Sequence, residues 1–273
     1  MQLEYLIGEN EMKRIVSVLA VLVMALGLMC GCAKDDTAKT DSEYVKDKGT
    51  LVVGITNFAP MDYKDENGEW IGFDADMAKA FAESLGVKAE FKVIDWNYKI
   101  NELNDKGIDC VWNGMTIGDE VLAGMEVSNA YCKNAQVVVL KNADAEKYTT
   151  LESVKELDFV VEAGSAGKKT AEANGFNFRE AETQADTLLE VSSGTSQASI
   201  IDLLMAGAMI GEGTDYDDLT YTVPLTEEEY GVGFRKGSDL AAKLNDFFKS
   251  SYADGSMTEL ANKYGVQESI IAQ

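Results

Sequence analysis

Short apolar runs alternate with amphipathic stretches along the middle of the chain. The runs are bounded by glycine, asparagine, proline or charged residues, which is typical of strands. They lie at residues 51–55, 91–94, 108–112, 136–140, 159–162, 177–181 and 198–202. Between the first two runs, Met77, Phe81 and Leu85 recur at helical spacing before Gly86, which predicts a helix with one apolar face. Helices between successive strands indicate parallel pairing with right-handed crossovers.

The strand and helix pattern occurs once before and once after residues 136–140. It therefore predicts two α/β lobes in tandem, followed by a helical tail at residues 239–250 and 256–264. In open α/β sheets, ligands bind beyond the carboxyl ends of the strands. The residues predicted at or just beyond those ends are polar, aromatic or small: Asn57, Phe58, Trp96, Asn113, Gly114, Thr116, Glu162, Ser165, Ala166 and Asp202.

The composition excludes several classes of function. The chain of 273 residues has 24 basic and 47 acidic residues, which gives a net charge of −23. This charge repels nucleic acid and anionic lipid headgroups, so neither is an expected partner. Histidine is absent, which excludes Ser-His-Asp and Cys-His catalysis and HExxH zinc sites. We expect no metal and no cofactor.

The cysteines do not form a CxxC pair, so they indicate neither a zinc knuckle nor a redox motif. Cys110 lies in an apolar run and Cys132 follows an aromatic residue, so both are predicted in the core. A disulfide between these two residues remains open, because the sequence does not give their separation.

The N-terminal segment has the features of an export signal. From Met12, two basic residues precede an apolar stretch that ends near Met29, and charged residues follow Cys32. The stretch is too short to span a bilayer and is typical of a secretory signal. Residues 1–11 contain three acids where a signal needs positive charge, so Met12 is the preferred start.

The pair Gly31-Cys32 resembles the end of a bacterial lipoprotein signal. This resemblance implies that residues 1–31 are removed and that Cys32 is lipidated. The next residues have no aromatic or branched apolar side chain, which predicts a flexible tether over 32–43 and a folded body that begins near Tyr44.

Four stretches together resemble the substrate-binding proteins of polar amino-acid ABC transporters. They are GTLVVGITNFAPMDYKDENGEWIGFDADMAKAFAESLG (49–86), IDCVWNGMTI (108–117), SSGTSQASIID (192–202) and EEYGVGFRKGSDL (228–240). The resemblance covers roughly residues 45–265 and implies a two-lobed periplasmic-binding-protein fold of type II. Each lobe is then a mostly parallel sheet flanked by helices, and two crossover strands, near 135–140 and 229–234, join the lobes. The implied boundaries are 44–136 and 231–273 for the first lobe and 137–230 for the second.

The same resemblance implies roles for residues in the cleft between the lobes. Phe58 would pack on the ligand, Trp96 would form an apolar wall opposite, and Asp202 would pair with an α-ammonium group. Such a pair is physically sensible, because a desolvated carboxylate makes a short, strong hydrogen bond with a charged donor. Glu162 would either contact a side chain of the ligand or remain solvated, and Asn57 lies where acids are frequent in the family.

The same resemblance implies partners for the ligand carboxylate. They are backbone and hydroxyl groups of Asn113, Gly114 and Thr116, with backbone N–H groups near Ser165 and Ala166 at the start of a helix.

Where many members have an arginine that holds this carboxylate, the chain has Val121, and valine cannot replace a bidentate guanidinium. Three alternatives are open: the groups named above suffice, Lys168 or Lys169 reaches the site, or the ligand has no conventional carboxylate.

The expected function is that of a monomeric, lipid-anchored receptor of an ABC importer. The protein would bind a polar amino acid or an amine-bearing analogue outside the cytoplasm and deliver it to the permease, without enzymatic activity. Two alternatives share the fold. One is a dehydratase acting on prephenate or arogenate, with Glu162 or Asp202 as the acid, and the other is a sensory ligand-binding module.

Overall fold

The computed structural model describes residues 39–273. Its α-helices are α1 (Asp41–Lys48), α2 (Phe73–Ser84), α3 (Lys99–Asn104), α4 (Asp119–Gly124), α5 (Leu151–Val154), α6 (Ala166–Asn174), α7 (Gln184–Ser193), α8 (Leu203–Met209), α9 (Leu240–Asp254) and α10 (Ser256–Lys263). Its strands are β1 (Thr50–Ile55), β2 (Tyr63–Lys64), β3 (Trp70–Ile71), β4 (Lys88–Val93), β5 (Cys110–Val111), β6 (Glu126–Val127), β7 (Cys132–Lys141), β8 (Asp158–Glu162), β9 (Asn177–Ala181), β10 (Ala198–Asp202), β11 (Leu219–Tyr230) and β12 (Gly233–Phe234). The predicted signal peptide 1–31 and the lipidation site Cys32 lie outside the described residues.

Ten of the described strands form two five-stranded sheets, one in each lobe, and β2 and β3 pair in a separate two-stranded sheet. The first has the order β4-β1-β5-β12-β6, with β1 parallel to both β4 and β5. The second has the order β11-β7-β10-β8-β9, with β8 parallel to β9 and β10. The two-lobed α/β architecture predicted from the sequence is therefore confirmed.

Two long strands connect the lobes. The chain leaves the first sheet after β6, enters the second along β7, and returns along β11 to β12 in the first. Strands β7 and β11 pair antiparallel, from Leu219 opposite Lys141 to Tyr230 opposite Cys132. This ladder is interrupted near Pro224, which has no N–H to donate, and the register shifts on both sides of it.

Each lobe has an aromatic core. In the first, Trp112 packs edge-on against Phe248, with ring centroids 5.7 Å apart, and Tyr131 packs beside both. In the second, Phe159 stacks on Phe176 at 4.8 Å. Such pairs add roughly 0.5–1.5 kcal/mol each beyond the area they bury, so they fix the sheets whose strand ends form the cleft.

Helix α1 includes residues 41–43, the end of the predicted tether. Thr40 and Glu43 form a reciprocal capping box at its N-terminus. The Ser42 hydroxyl donates to Asp239 at 2.5 Å, and Arg235 pairs with Asp41 at 3.0 Å. The polar composition that predicts a flexible tether here serves instead to dock the helix on the first lobe.

Cys110 and Cys132 are both buried and both free thiols, so the open question of a disulfide is answered in the negative for this structure. Burial raises the pKa of each thiol. Within residues 39–273, none of the helices combines the length and the apolar character that crossing a bilayer requires.

Candidate ligand-binding cleft

A cavity lies between the lobes at the carboxyl ends of β1, β5, β8 and β10. Nine of the ten predicted ligand residues line it: Phe58, Trp96, Asn113, Gly114, Thr116, Glu162, Ser165, Ala166 and Asp202. The exception is Asn57, which is exposed at the surface and does not line the cavity. Its neighbour Thr56 is buried and takes the place in the wall, because successive side chains of an extended segment point to opposite sides.

Phe58 forms the aromatic wall of the first lobe. Its ring lies edge-on to Tyr230, with centroids 6.3 Å apart and an interplanar angle of 81°. A Cβ at Gly114 would come within 2.4 Å of Phe58 Cε1, and Gly114 also has a φ of +54°. Glycine is therefore required there on both counts, and the close approach fixes the ring at the cavity wall.

Asn113 and Gly114 are held within the protein. The Asn113 side chain accepts hydrogen bonds from the backbone N–H and hydroxyl of Thr56, and it donates to Thr56 O and to Asp62. The Gly114 N–H donates to Asp74 at 2.7 Å. The Gly114 N–H, which was predicted to bind a ligand carboxylate, therefore already has a partner, and so does the Asn113 side chain, and both shape the cavity wall.

Asp202 ends β10 and is only 4% exposed. Its Oδ1 accepts from Asn134 at 2.5 Å, Gln136 at 3.2 Å and the Tyr230 hydroxyl at 2.7 Å, and its Oδ2 accepts from Gln184. Oδ2 therefore keeps room for a further donor from the cavity. Burial, and then the charge of Glu228, raise the pKa of Asp202 to about 8.

Glu162 ends β8, beside Asp202 on the wall of the second lobe. The side chain is 3% exposed, and Oε1 has no hydrogen-bond partner among the described residues. Burial and the nearby Asp202 charge raise the pKa of Glu162 to about 8, although Lys99 and hydrogen bonds from Gln184 act in the opposite direction. An unpaired buried oxygen is costly, so this position favours a ligand that brings a donor.

Lys99 is a cation of the cavity wall that the sequence did not suggest. It is 4% exposed, its Nζ donates to Trp96 O at 3.1 Å and to Gly164 O at 2.9 Å, and it lies 4.9 Å from the Trp96 ring centroid. Burial lowers the pKa of Lys99 to about 8. Because an ammonium group has three N–H donors, one remains for a ligand.

Thr116, Ser165 and Ala166 provide the polar rim. The Thr116 hydroxyl donates to Glu228 at 2.9 Å, which leaves it only acceptor capacity. Ser165 is the N-cap of α6 and accepts from the Lys168 N–H at 3.0 Å, so its own hydroxyl hydrogen is available. The N–H of Ala166 lies in the first turn of α6, where N–H groups have no partner within the helix.

The lysines that sequence analysis considered as substitutes for an arginine differ in placement. Lys168 pairs with Glu180 at 2.8 Å and does not line the cavity. Lys169 lines it and pairs with Glu120 of the first lobe at 2.6 Å, although 45% of its side chain is exposed. Val121 lines the cavity as well and is 3% exposed, so the position of the expected guanidinium is an apolar wall.

The lobes touch each other around the cavity. The Lys99 hydrogen bond to Gly164 and the pair Glu120–Lys169 both cross from one lobe to the other. A Cβ at Gly164 would come within 2.7 Å of Asn97 Cα, and the φ of Gly164 is +69°. Glycine thus permits two backbones to meet at the entrance, and the cleft is closed in this structure.

The comparison with known families decides the assignment. Residues 51–267 match the profile of the bacterial extracellular solute-binding proteins, family 3. The chain belongs to this family. As a member of a family of extracellular proteins, this solute-binding protein acts outside the cytoplasm.

Individual relatives agree with this assignment. The L-cystine-binding protein TcyJ of Escherichia coli (strain K12) is 27% identical over 247 residues, which are 89% of this chain and 92% of the relative. The arginine-binding extracellular protein ArtP of Bacillus subtilis (strain 168) is 28% identical over 226 residues, or 80% and 86%.

A structure of an ABC uptake transporter substrate-binding protein from Streptococcus pneumoniae with bound histidine superimposes with a TM-score of 0.75. It is 30% identical, and the match covers 84% of this chain and 97% of that one. All three are named as binding proteins.

Sequence reasoning missed Lys99 and Gln184 at the cavity of this solute-binding protein. Lys99 follows Trp96 by three residues, a spacing that places both on one face of a helical turn. Gln184 opens α7 directly after β9, at the same edge of the sheet as Glu162. Both signals are local and were available, but neither indicates which residues of the other lobe lie opposite.

Proposed function

We propose that the protein is a receptor of an ABC importer that binds an amino acid, or a close amine-bearing analogue, between its two lobes. The observation that carries this proposal is Asp202, a buried carboxylate with remaining acceptor capacity, at a cavity that also has an aromatic wall at Phe58. A carboxylate shielded from water binds an ammonium group strongly and binds neutral groups less well. The similarity to proteins named for cystine, arginine and histidine supports an amino-acid ligand.

The polar groups of the cavity favour one orientation of the ligand. The α-ammonium lies at Asp202, and the apolar part of the ligand packs on Phe58 and Trp96. The carboxylate, where the ligand has one, is bound by the Ser165 hydroxyl and the first N–H groups of α6, since helix N-termini favour negative charge. Val121 stands where many relatives have an arginine that binds the ligand carboxylate. In this cavity, the Lys99 ammonium group, through its remaining N–H, takes over that role.

Closure of the lobes then signals occupancy to the transporter. Lys99–Gly164 and Glu120–Lys169 join the lobes across the closed cleft, and a ligand that bridges both walls would stabilise the same closed form. We further infer that the closed form engages the permease, that Cys32 carries a lipid anchor, and that the protein acts as a monomer. Replacement of Cys32 by serine would then release the protein from the membrane, and continued anchoring would contradict the inference.

A ligand screen tests the receptor function. The melting temperature of the purified chain is measured with amino acids, polyamines and small carboxylates, because a ligand that binds only the folded state stabilises it by about 2.7 kcal/mol at a concentration of one hundred times Kd. We expect at least one amino acid or amine to raise it in a saturable way. If none of them does, the proposed function is wrong.

A dehydratase is the second candidate, and one observation favours it. Glu162 has a pKa raised to about 8 and faces a closed cavity, so at neutral pH it is largely a protonated acid, as a general acid must be. Incubation with prephenate and arogenate separates the two candidates. Turnover that is lost in Glu162→Gln, without saturable binding of an amino acid or amine, would favour the enzyme over the receptor.

A further inference from the structure

The cavity contains more buried acid than buried base. Glu162 and Asp202 are 3% and 4% exposed, and Glu228 lies directly behind Asp202, where its charge raises the pKa of that residue. Lys99 is the only lysine that is buried among residues 39–273. Lys169 also lines the cavity, but Glu120 already pairs with it at 2.6 Å. The closed cleft is therefore poor in positive charge.

Glu162 is the cavity residue that a further positively charged group would contact. Its Oε1 has no partner among the described residues, although the side chain is almost completely buried and lines the cavity. Charged groups face it from three elements: Asp202 on β10, Lys99 on α3 and, through Asp202, Glu228 on β11. Gln184 on α7 donates to Glu162 but also to Asp202, so it does not satisfy either carboxyl group completely.

Apart from Lys99, the first lobe does not compensate for this arrangement. Val121 provides no charge, and the side chain of Asn113 and the N–H of Gly114 are bound to Thr56, Asp62 and Asp74. A zwitterionic ligand brings one positive and one negative group, so it leaves the net charge of the cavity unchanged. A ligand with one more cationic nitrogen would neutralise the second carboxylate. An unpaired charge is costly in a cavity of low dielectric, so this neutralisation should strengthen binding.

We propose that the cleft selects a ligand with a second positively charged nitrogen, and that Glu162 accepts the hydrogen bond from that nitrogen while Asp202 binds the first. The proposal rests on the proposed function and names its substrate class. An amino acid with a cationic side chain and a decarboxylated diamine share this chemistry. The residue that distinguishes them is Lys99, since only a ligand with a carboxylate uses its remaining N–H.

Matched ligand pairs test the selectivity on the unaltered protein. Calorimetry compares L-arginine with L-citrulline, which has the same shape but a neutral side chain, and L-lysine with L-norleucine. We expect the cationic member of at least one pair to bind ten- to about a hundredfold more tightly, the range for a charge-assisted hydrogen bond. Agmatine, which is arginine without its carboxylate, shows whether the ligand is an amino acid or an amine.

Variants assign the effect to Glu162. Glu162→Gln keeps the shape of the side chain and should remove most of the preference for the cationic member of each pair. Its melting temperature without ligand shows whether it folds. The control is Glu182→Gln, an exposed acid of the same lobe that does not line the cavity, which should leave every affinity within about twofold of the wild type.

Proton release provides a readout that a merely structural role of Glu162 would not change. A carboxyl group that is protonated in the free protein loses its proton when a cation binds beside it. Calorimetry at pH 7 in two buffers of different ionisation enthalpy should therefore show more protons released with L-arginine than with L-citrulline. In Glu162→Gln this difference should disappear.

The outcomes separate the proposal from the function on which it rests. Equal or tighter binding of the neutral members, or an undiminished preference in Glu162→Gln, overturns the proposal while the receptor function stands. Failure of every amino acid and amine to bind overturns the receptor function. If agmatine binds as tightly as L-arginine, both to the wild type and to Lys99→Met, the site is assigned to amines. If agmatine binds at least tenfold more weakly than L-arginine, the site is assigned to amino acids.

Discussion

Each lobe buries a pair of neighbouring carboxyl groups, and the two pairs differ in what surrounds them. In the first lobe, Asp62 and Asp74 are both fully buried. In the second, Glu162 and Asp202 are almost equally buried, but both line the cavity. Burial raises the pKa of every one of these groups, to about 7 for Asp74 and to about 8 for Glu162 and Asp202.

The first-lobe pair supports the cavity wall from behind. Asp74 accepts from the Tyr131 hydroxyl at 2.8 Å and from the Gly114 N–H at 2.7 Å, and Asp62 accepts from Asn113. These bonds hold the segment against which Phe58 packs. A raised pKa therefore marks desolvation in both lobes, and only access to the cavity distinguishes a ligand group from a structural one.

The largest expected effect is loss of ligand binding in Asp202→Asn. An ammonium group that loses its buried charged partner should bind about 2–4 kcal/mol more weakly, which calorimetry with the best ligand of the screen measures. The asparagine keeps an acceptor for Tyr230, but its NH₂ group faces the donor of Gln184, so the melting temperature without ligand should fall and shows whether the variant still folds.

Asp74→Asn is the matched variant in the other lobe. It places an NH₂ group where two donors point, so the free energy of unfolding should fall by about 1–3 kcal/mol while ligand affinity changes by less than about threefold. If Asp74→Asn weakens binding as much as Asp202→Asn does, the distinction between the two pairs is wrong.

The pH dependence of stability provides a second, smaller test. A carboxyl group whose pKa is higher in the folded state binds its proton more tightly there, so it stabilises the fold at low pH and loses this contribution as pH rises toward the folded pKa. For Asp74, Glu162 and Asp202, this window runs from about pH 4 to about pH 7 or 8. Without ligand, the free energy of unfolding should fall from pH 5 to pH 7, by up to about 1.4 kcal/mol per pH unit for each group.

A bound ligand should reduce the contribution of the second lobe to this pH dependence and leave that of the first lobe unchanged. A bound cationic ligand favours the ionised forms of Glu162 and Asp202, so their share of the slope should shrink at saturation. The share of Asp74 should remain, and Asp74→Asn should remove it with or without ligand. Denaturant unfolding at pH 5, 6 and 7 measures both parts, and a flat profile without ligand would contradict the burial of these acids.

Much of the architecture could be predicted because it depends on local patterns. Strands β9 and β10 were predicted at their observed bounds, since each is a short apolar or alternating run between turn residues. Asp202 ends β10 and Glu162 ends β8, whose predicted last residue is also the observed one. Both positions at the cavity followed from these strand ends, because the carboxyl ends of parallel strands in one sheet meet at one edge. The direction of a side chain in an irregular segment is less local, and Asn57 was placed in the wall where Thr56 lies.

The hydrogen-bond partners in the cleft could not be predicted, because they join segments far apart in the chain. Nothing near Gly114 indicates that Asp74, forty residues earlier, takes its N–H. Lys99 could be placed on the face of Trp96, but its contact with Gly164 O depends on how the lobes close. Local sequence patterns therefore predict the residues at the rim. The packing of the lobes determines which of their polar groups remain available for a ligand.

The smallest expected effect concerns the ion pair Glu120–Lys169, which also joins the lobes. Both side chains are about half exposed, at 58% and 45%, so the pair should contribute less than about 1 kcal/mol to closure. Lys169→Gln should weaken ligand binding about two- to fivefold, less so at high salt. Lys155→Gln, which breaks the pair with Glu152 inside the second lobe, should not change it. A loss as large as that of Asp202→Asn would instead mean that Lys169 contacts the ligand directly, so that this cation, and not Lys99, takes the place of the missing arginine.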